Sequence, residues 1–320
     1  MSDGRQLRDR LRRTALALRA RLHTDLHLRL GAIERLVGEM PRELAELRAR
    51  LDRIEVDSSR AAQIGRQIYD EEPANRRRLA ELRRGEEYRL AFEEPEPLVT
   101  VVIPTYTSFQ TLRDVALPSV LGQSHGNLEV IVSGDSAPPE TAAVIAGLGD
   151  PRVVYLNRTI RGPYPEDPAK RWFGIGGPPF NDALAIARGR WITALGDDDA
   201  FRPHHVGELL AAAREHGYEH CYGRQEVHFA SGDPIVLGAF PPRLGQWGMQ
   251  AALYHSGLRF IESELSDSIY DEPSDWSKCR RMVRAGVRFG MVDSVVVDKY
   301  ESRRASAEEW RTAGPPRLDG

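Results

Sequence analysis

From Leu26 onward the apolar residues fall at Leu26, Leu30, Ile33, Val37, Met40, Leu44, Leu47, Leu51 and Ile54, a strict alternation of four and three. Over about four heptads that spacing keeps one narrow seam on a helix, and it predicts a coiled coil rather than a helix laid on a globular core. Upstream, Leu7, Leu11, Leu18 and Leu22 continue the helical pattern less regularly, among Arg5, Arg8, Arg10, Arg12, Arg13, Arg19 and Arg21. Pro41 is expected to kink or break the rod, because it removes a helix hydrogen bond and crowds the preceding turn. Residues 57–96 read as a helical connector that ends in Glu93-Glu94-Pro95-Glu96-Pro97, a stretch that resists both helix and sheet.

After Pro97 the pattern changes. Leu98 to Ile103 is a continuous β-branched run closed by Pro104, the signature of a buried parallel strand. Ser108 to Leu121 follows as an amphipathic helix, then Leu128 to Val132 as a strand, Glu140 to Leu148 as a helix and Val153 to Asn157 as a strand. Beyond a Gly/Pro-rich loop come a helix from Asn181 to Ala187, a strand from Trp191 to Leu195, a strand from Cys221 to Val227 and a basic helix from Ser277 to Ala285. Alternation with short connections predicts an α/β domain, an open doubly wound and mostly parallel sheet, preceded by the long N-terminal helix or coiled coil. The expected division is an arm at 1–56, a connector at 57–96, the α/β domain at 97–303 and a tail at 304–320.

Composition narrows the function classes. Against 44 Lys and Arg stand 47 Asp and Glu, a net charge of −3, which argues against a nucleic-acid partner. Two cysteines, Cys221 and Cys279, build no disulfide framework. No apolar run reaches the roughly 20 residues of a spanning helix, and no leader pattern precedes the arm, so a cytoplasmic protein is expected. Three readings of the arm stay open: self-association into a homo-oligomer, docking onto its own globular domain, and peripheral contact of a basic amphipathic helix with an anionic membrane face.

In a sheet of this kind ligands bind beyond the carboxyl ends of the strands, and the chemistry-bearing residues sit there. Pro104-Thr105-Tyr106 supplies a turn, a hydroxyl and an aromatic face. Ser133-Gly134-Asp135-Ser136 supplies a carboxylate able to accept from a base or ribose, or to serve as a turn cap. Asp197-Asp198-Asp199 is a run of mutually repelling carboxylates, an odd choice without an oxygen-preferring divalent cation. Gly174-Ile175-Gly176-Gly177 fails as a dinucleotide fingerprint, because Pro179 stands where its third glycine belongs and no strand precedes it. His216, His220 and Cys221 read as a helix end entering a strand, and His204-His205 as a helix N-terminal turn.

In this order and spacing, the stretch from Pro97 to Arg303 resembles a family 2 glycosyltransferase of the GT-A fold. The matching segments are Val101 to Tyr106, Ser119-Val120-Leu121-Gly122-Gln123, Asn127 to Val132, Asn181 through Gly189, Trp191 to Asp199, and Asp275-Trp276 ahead of Arg284-Ala285-Gly286-Val287-Arg288-Phe289. The resemblance implies a metal-dependent inverting transferase that uses a nucleotide sugar, expected to be a UDP-sugar, with Mn²⁺ or Mg²⁺. Its acceptor would be a glycan, a lipid-linked species or a small molecule. Carried over residue by residue, it gives nucleotide-sugar contacts to Pro104, Thr105, Tyr106, Asp135, Arg171, Asn181 and Asp197, the metal to Asp198 and Asp199, and the general base to Asp275.

Two departures from the family pattern stand out: Gly134 replaces the first of two acids, and Gly196 replaces the first Asp of the metal motif. They motivate an alternative, a non-catalytic glycosyltransferase-like scaffold assembled by the coiled coil. A metal-dependent nucleotidyltransferase or phosphatase would use the acid triplet but leave Pro104 to Tyr106 and Asp275 unexplained.

Overall fold

The computed structural model describes residues 3–66, 69, 71–230, 232–265 and 272–301, with the backbone alone at 3–17, 19–20, 32–43 and 169. The side chains of Leu7, Leu11, Ile33, Val37 and Met40, the acids Asp267 and Asp271, and the tail 304–320 lie outside the described residues. The chain forms two compact units, Met1–Gly65 and Arg66–Gly320.

The first unit is α1 (Asp3–Arg66), one continuous helix. It does not end at 56, and it is not broken at Pro41. A single interior proline costs about 3 kcal/mol, and the Leu-, Arg-, Ala- and Glu-rich turns on either side sustain the helix past it. Along the seam Leu26, Leu30, Leu44, Leu47, Leu51 and Ile54 are 46 to 63% exposed.

In the second unit, two short helices, α2 (Glu72–Leu82) and α3 (Glu86–Glu93), precede β1 (Val99–Thr105). These residues are no free linker. Leu79, Tyr88 and Ala91 are buried, and Trp191 Nε1 donates to the Ala91 carbonyl at 2.9 Å. The Glu219 carboxylate, fully buried, accepts from Arg83 Nε (2.7 Å) and Nη2 (2.8 Å), the Tyr88 hydroxyl (2.7 Å) and the Arg288 backbone N–H (2.8 Å). Burial alone would raise its pKa; these donors outweigh burial and hold it below the ordinary carboxylate value.

After β1 comes a helical stretch of α4 (Phe109–Thr111), a π-helical segment (Leu112–Ala116) and α5 (Leu117–Leu121). β2 (Leu128–Gly134), α6 (Pro139–Leu148), β3 (Val153–Asn157), α7 (Pro168–Gly174), α8 (Gly177–Ile186) and β4 (Trp191–Ala194) follow. The remainder is β5 (Ala200–Phe201), α9 (His205–His216), β6 (His220–Phe229), β7 (Ile235–Leu237), β8 (Ala252–His255), α10 (Ser274–Ala285) and β9 (Phe289–Glu301).

The strands form one sheet in the order β3-β2-β1-β4-β8-β6-β9-β5, with β7 on β6. The expected parallel half is β3-β2-β1-β4, where Val99 pairs with both Leu128 and Trp191. The other half is mixed: β8 runs antiparallel to β4 and β6, whereas β9 runs parallel to β6 and antiparallel to β5. Val99, Val101 and Ile103 pack on one face and Val102 on the other, all fully buried, which is why β1 reads as an unbroken apolar run. Leu117, Val120 and Leu209 cover the first face, and Phe180, Ala183 and Met282 the second. Among the described residues no helix is long and apolar enough to cross a membrane.

Candidate active site

The acid triplet leaves the end of β4, with the Leu195 N–H donating to the Val102 carbonyl at 3.0 Å as the last sheet bond before it. Asp197 Oδ2 accepts from Thr105 Oγ1 at 2.7 Å, so the hydroxyl after β1 positions the first acid. Asp199 is 5% exposed and its Oδ1 accepts from the Tyr300 backbone N–H at 2.9 Å, whereas Asp198 is exposed. Burial, reinforced by the Asp198 charge, pushes Asp197 up to about 6 against the Thr105 bond, and pushes Asp199 up to about 7. Gly196 explains its own departure: a Cβ there would lie 2.9 Å from Asp199 Oδ2 and 3.1 Å from Asp198 Oδ1. The two carboxylates converge over this position, and a Cβ there would push their oxygens aside. Hard oxygen donors drawn together against their own repulsion are a donor set that suits a divalent cation.

The second departure has a similar cause. Over Gly134 lies the Asn157 side chain, which accepts from the Ala137 N–H at 2.9 Å and donates to the Ala137 carbonyl at 3.0 Å, so a Cβ at Gly134 would collide with its amide oxygen. The next residue, Asp135, is buried; its Oδ1 accepts from the Gly162 N–H at 2.9 Å and its Oδ2 from the Tyr164 hydroxyl at 2.6 Å. Ser136 takes φ of +59°, a left-handed conformation uncommon for a residue with a Cβ and of the kind that gathers at binding loops. The Arg161 guanidinium carbon lies 3.9 Å from the centre of the Tyr106 ring, and its Nε 3.7 Å from Asp135 Oδ2. Tyr106, Asp135 and Arg161 thus form one cluster beside β1 and β2.

Two expected contacts are turned elsewhere. Arg171 donates through Nε to the Pro165 carbonyl (3.1 Å) and through Nη2 to the Glu166 carbonyl (2.6 Å), closing its own loop. The Asn181 amide brackets Ser263, donating to its carbonyl at 2.8 Å and accepting from its N–H at 3.1 Å. Neither lines the cavity described next. His205 is fully buried, with Nε2 3.1 Å from Thr193 Oγ1 and its ring stacked 3.7 Å from that of Phe201; burial drives it down to about 3. It has no route to a diphosphate.

A cavity of about 430 Å³ brings together Pro104, Asp197, Asp199 and Asp275, with Trp172, Phe173, Trp247 and Trp276 among its apolar lining. Thr105, Tyr106, Asp135 and Asp198 do not line it. α10 begins at Ser274, one turn earlier than expected, so Asp275 lies in its first turn, where Oδ1 accepts from the Trp276 N–H at 2.8 Å. Burial raises the pKa of Asp275, against that hydrogen bond. Lys299 and Glu301 also line the cavity, with Lys299 Nζ 2.6 Å from Glu301 Oε1. Burial alone would depress the ammonium; Glu301, Asp199 and Asp275 together hold it above the ordinary lysine value. Lys299 and Arg161 are the residues that the sequence reading missed. Lys299 had a signal, the β-branched run Val295-Val296-Val297 just ahead of it, which marks a buried strand.

A separate trio, Glu226, His228 and Asp298, has ligand atoms within 4.8 Å of one another. Arg202 Nη2 already sits 2.6 Å from Asp298 Oδ1 and 3.6 Å from Glu226 Oε1, so a fixed cation balances that charge.

A mostly parallel sheet with helices on both faces, with Asp197 and Asp199 just beyond the end of β4 and Asp275 lining the same cavity, is an α/β fold of the GT-A kind. Residues 100–164 and 177–272, about half of the chain, match the profile of glycosyl transferase family 2, and the chain belongs to that family. It is 34% identical over 119 residues to the succinoglycan biosynthesis protein ExoO of Rhizobium meliloti, covering 37% of this chain and 30% of that one. It is 32% identical over 131 residues to the GalNAc(5)-diNAcBac-PP-undecaprenol beta-1,3-glucosyltransferase of Campylobacter jejuni, covering 40% and 38%. The chain thus spans about a third of the length of these curated relatives. Residues 1–349 of S. aureus TarS, solved in complex with UDP, superpose with a TM-score of 0.51 at 16% identity, over 63% of this chain and 60% of that one, a likeness of fold.

Proposed function

We propose that the chain is a metal-dependent inverting glycosyltransferase that moves a sugar from a nucleotide sugar to an acceptor hydroxyl. The observation that carries this reading is that Asp197, Asp199 and Asp275 line the same cavity. Inversion needs one base on the acceptor side, in contrast to the carboxylate pair of a hydrolase. Asp275 takes the hydroxyl proton as the acceptor oxygen attacks the anomeric carbon, and the bond to the diphosphate breaks with its electron pair on the leaving oxygen. Burial raises its pKa, which strengthens it as a base. A divalent ion, Mn²⁺ or Mg²⁺, held by Asp198 and Asp199 would offset the charge of the departing diphosphate. Asp197, braced by Thr105, faces the ribose, and Tyr106 with Asp135 receives the base, for which a UDP-sugar is the leading candidate. The UDP bound in the TarS structure supports that choice of donor, and the undecaprenol-linked substrate named for the C. jejuni relative supports a lipid-linked acceptor.

The scaffold alternative loses its motive, because Gly134 and Gly196 are required by the packing of Asn157 and by the convergence of Asp198 and Asp199. The test is turnover of a panel of nucleotide sugars with Mn²⁺, with and without acceptor. Asp275→Asn is expected to lower transfer by about 10²–10⁴-fold, with donor KM nearly unchanged. Full activity in that variant would remove the base assignment, and no turnover or thermal shift with any donor would return the scaffold.

A further inference from the structure

Helix α1 presents a row of apolar side chains that nothing within the first unit covers, six of them 46 to 63% exposed. Patches of this kind on a soluble chain mark an interaction surface, and the charges flanking the row say what covers it. In heptad terms, Leu30, Val37, Leu44 and Leu51 are a positions, and Leu26, Ile33, Met40, Leu47 and Ile54 are d positions. The g positions are then Arg29, Leu36, Glu43 and Arg50, and the e positions His27, Glu34, Pro41, Arg48 and Glu55.

Two parallel helices in register bring each g residue beside the e residue five places further along the other helix. That gives Arg29 with Glu34, Glu43 with Arg48, and Arg50 with Glu55, three opposite-charge pairs on each side of the seam. The remaining pair, Leu36 with Pro41, is apolar. Antiparallel pairing of the same seam sets a against d, g against g and e against e, so Arg29 faces Arg50 twice on one flank in one register, and Glu34 faces Arg48 twice on the other flank in the register one heptad along. Against these two like-charge and two opposite-charge contacts stand six opposite-charge pairs in the parallel arrangement. Pro41 falls at an e position, outside the a/d core, and α1 continues through it.

We propose that residues 26–54 are a homotypic interface on which further copies of this chain pair in parallel and in register. Its charge code fixes orientation, while the mixed Leu, Val, Ile and Met core leaves the copy number open to measurement. The inference does not depend on the catalytic reading, since every residue it uses lies in α1.

Single cysteines at the two ends of the seam test it in the full-length chain. Cys221 and Cys279 are fully buried and do not compete for disulfides. The ends lie about 42 Å apart along the helix, so orientation decides which thiols meet. Leu26→Cys alone and Ile54→Cys alone should each form an interchain disulfide between identical positions under mild oxidation. Sedimentation of the unmodified chain should give two or more copies. Arg50→Glu and Glu55→Arg should each weaken assembly several-fold, and the double variant should restore it, which a loss of helix alone would not do. Cross-linking only in the Leu26→Cys/Ile54→Cys double variant would establish the antiparallel arrangement and overturn the proposal. A single-chain mass would overturn it too, and binding of that single chain to phosphatidylglycerol vesicles would then assign the seam to a membrane surface.

Discussion

At the scale of single residues, glycine and aspartate explain one another. A Cβ at Gly196 would crowd the Asp198 and Asp199 carboxylate oxygens, and burial, reinforced by the Asp198 charge, keeps Asp199 protonated at pH values where a free aspartate has ionised. Gly196→Ala should therefore leave the fold intact, as read by circular dichroism, and weaken Mn²⁺ binding by calorimetry at least tenfold. In the metal-free protein the folded state keeps protons on Asp197 and Asp199 that the unfolded chain has released. Their contribution to stability therefore falls as pH rises from the ordinary value near 3.8 to about 7. Bound Mn²⁺ displaces those protons, so the rise in Tm that it causes should grow from about pH 5.5 to about pH 7.5; a flat response would contradict the assignment. Asp135, the triplet and Asp275 were legible in the sequence because each directly follows a strand or opens a helix. Lys299 reaches the cavity only through the long-range pairing of β9 with β6, and the local spacing ahead of Asn181 says nothing of where the Arg171 guanidinium turns.

At the scale of elements, strands covered on both faces were the easiest to read, and the antiparallel half of the sheet the hardest. β8 has only four residues, and its neighbours, β4 and β6, are distant in sequence. The start of α8 was hidden by Pro178 and Pro179, which suit a first helical turn as well as a loop. α10 carries an element-level test. Its Lys278 is fully buried, with Nζ over the rings of Phe180 (4.7 Å) and Tyr254 (5.2 Å). Burial, aided by Arg281 and opposed by Glu262, lowers it to about 7. Between that value and the ordinary 10.5 the unfolded chain binds the extra proton, so stability rises with pH across this window and is lost as pH falls through 7. Lys278→Met should melt a few degrees higher at neutral pH and lose most of that slope. Thermal denaturation of both proteins across the window checks it, and an unchanged slope would count against the burial argument.

At the scale of the whole molecule, the net charge of −3 is a sum over unlike parts: an arginine-dense arm and an α/β unit with Asp197, Asp199, Asp275 and Glu301 around one cavity. The arm and the strand-helix alternation were visible from periodicity alone. The role of residues 72–93 was not, because their apolar positions are few and their anchors, Trp191 and Glu219, are more than a hundred residues downstream. The Glu219 clasp has a practical edge. A chain cut to begin at 97, where the family resemblance starts, would lose the buried Leu79, Tyr88 and Ala91 and the hydrogen bonds that Arg83 and Tyr88 give the Glu219 carboxylate. That loss is to be set against a net stability of only about 5–15 kcal/mol for an average domain. Such a fragment should come out of cells aggregated or partly unfolded, while one beginning at 71 should be monodisperse and give a sharp melt. The smallest autonomous piece of the second unit should therefore start two short helices before the family resemblance does.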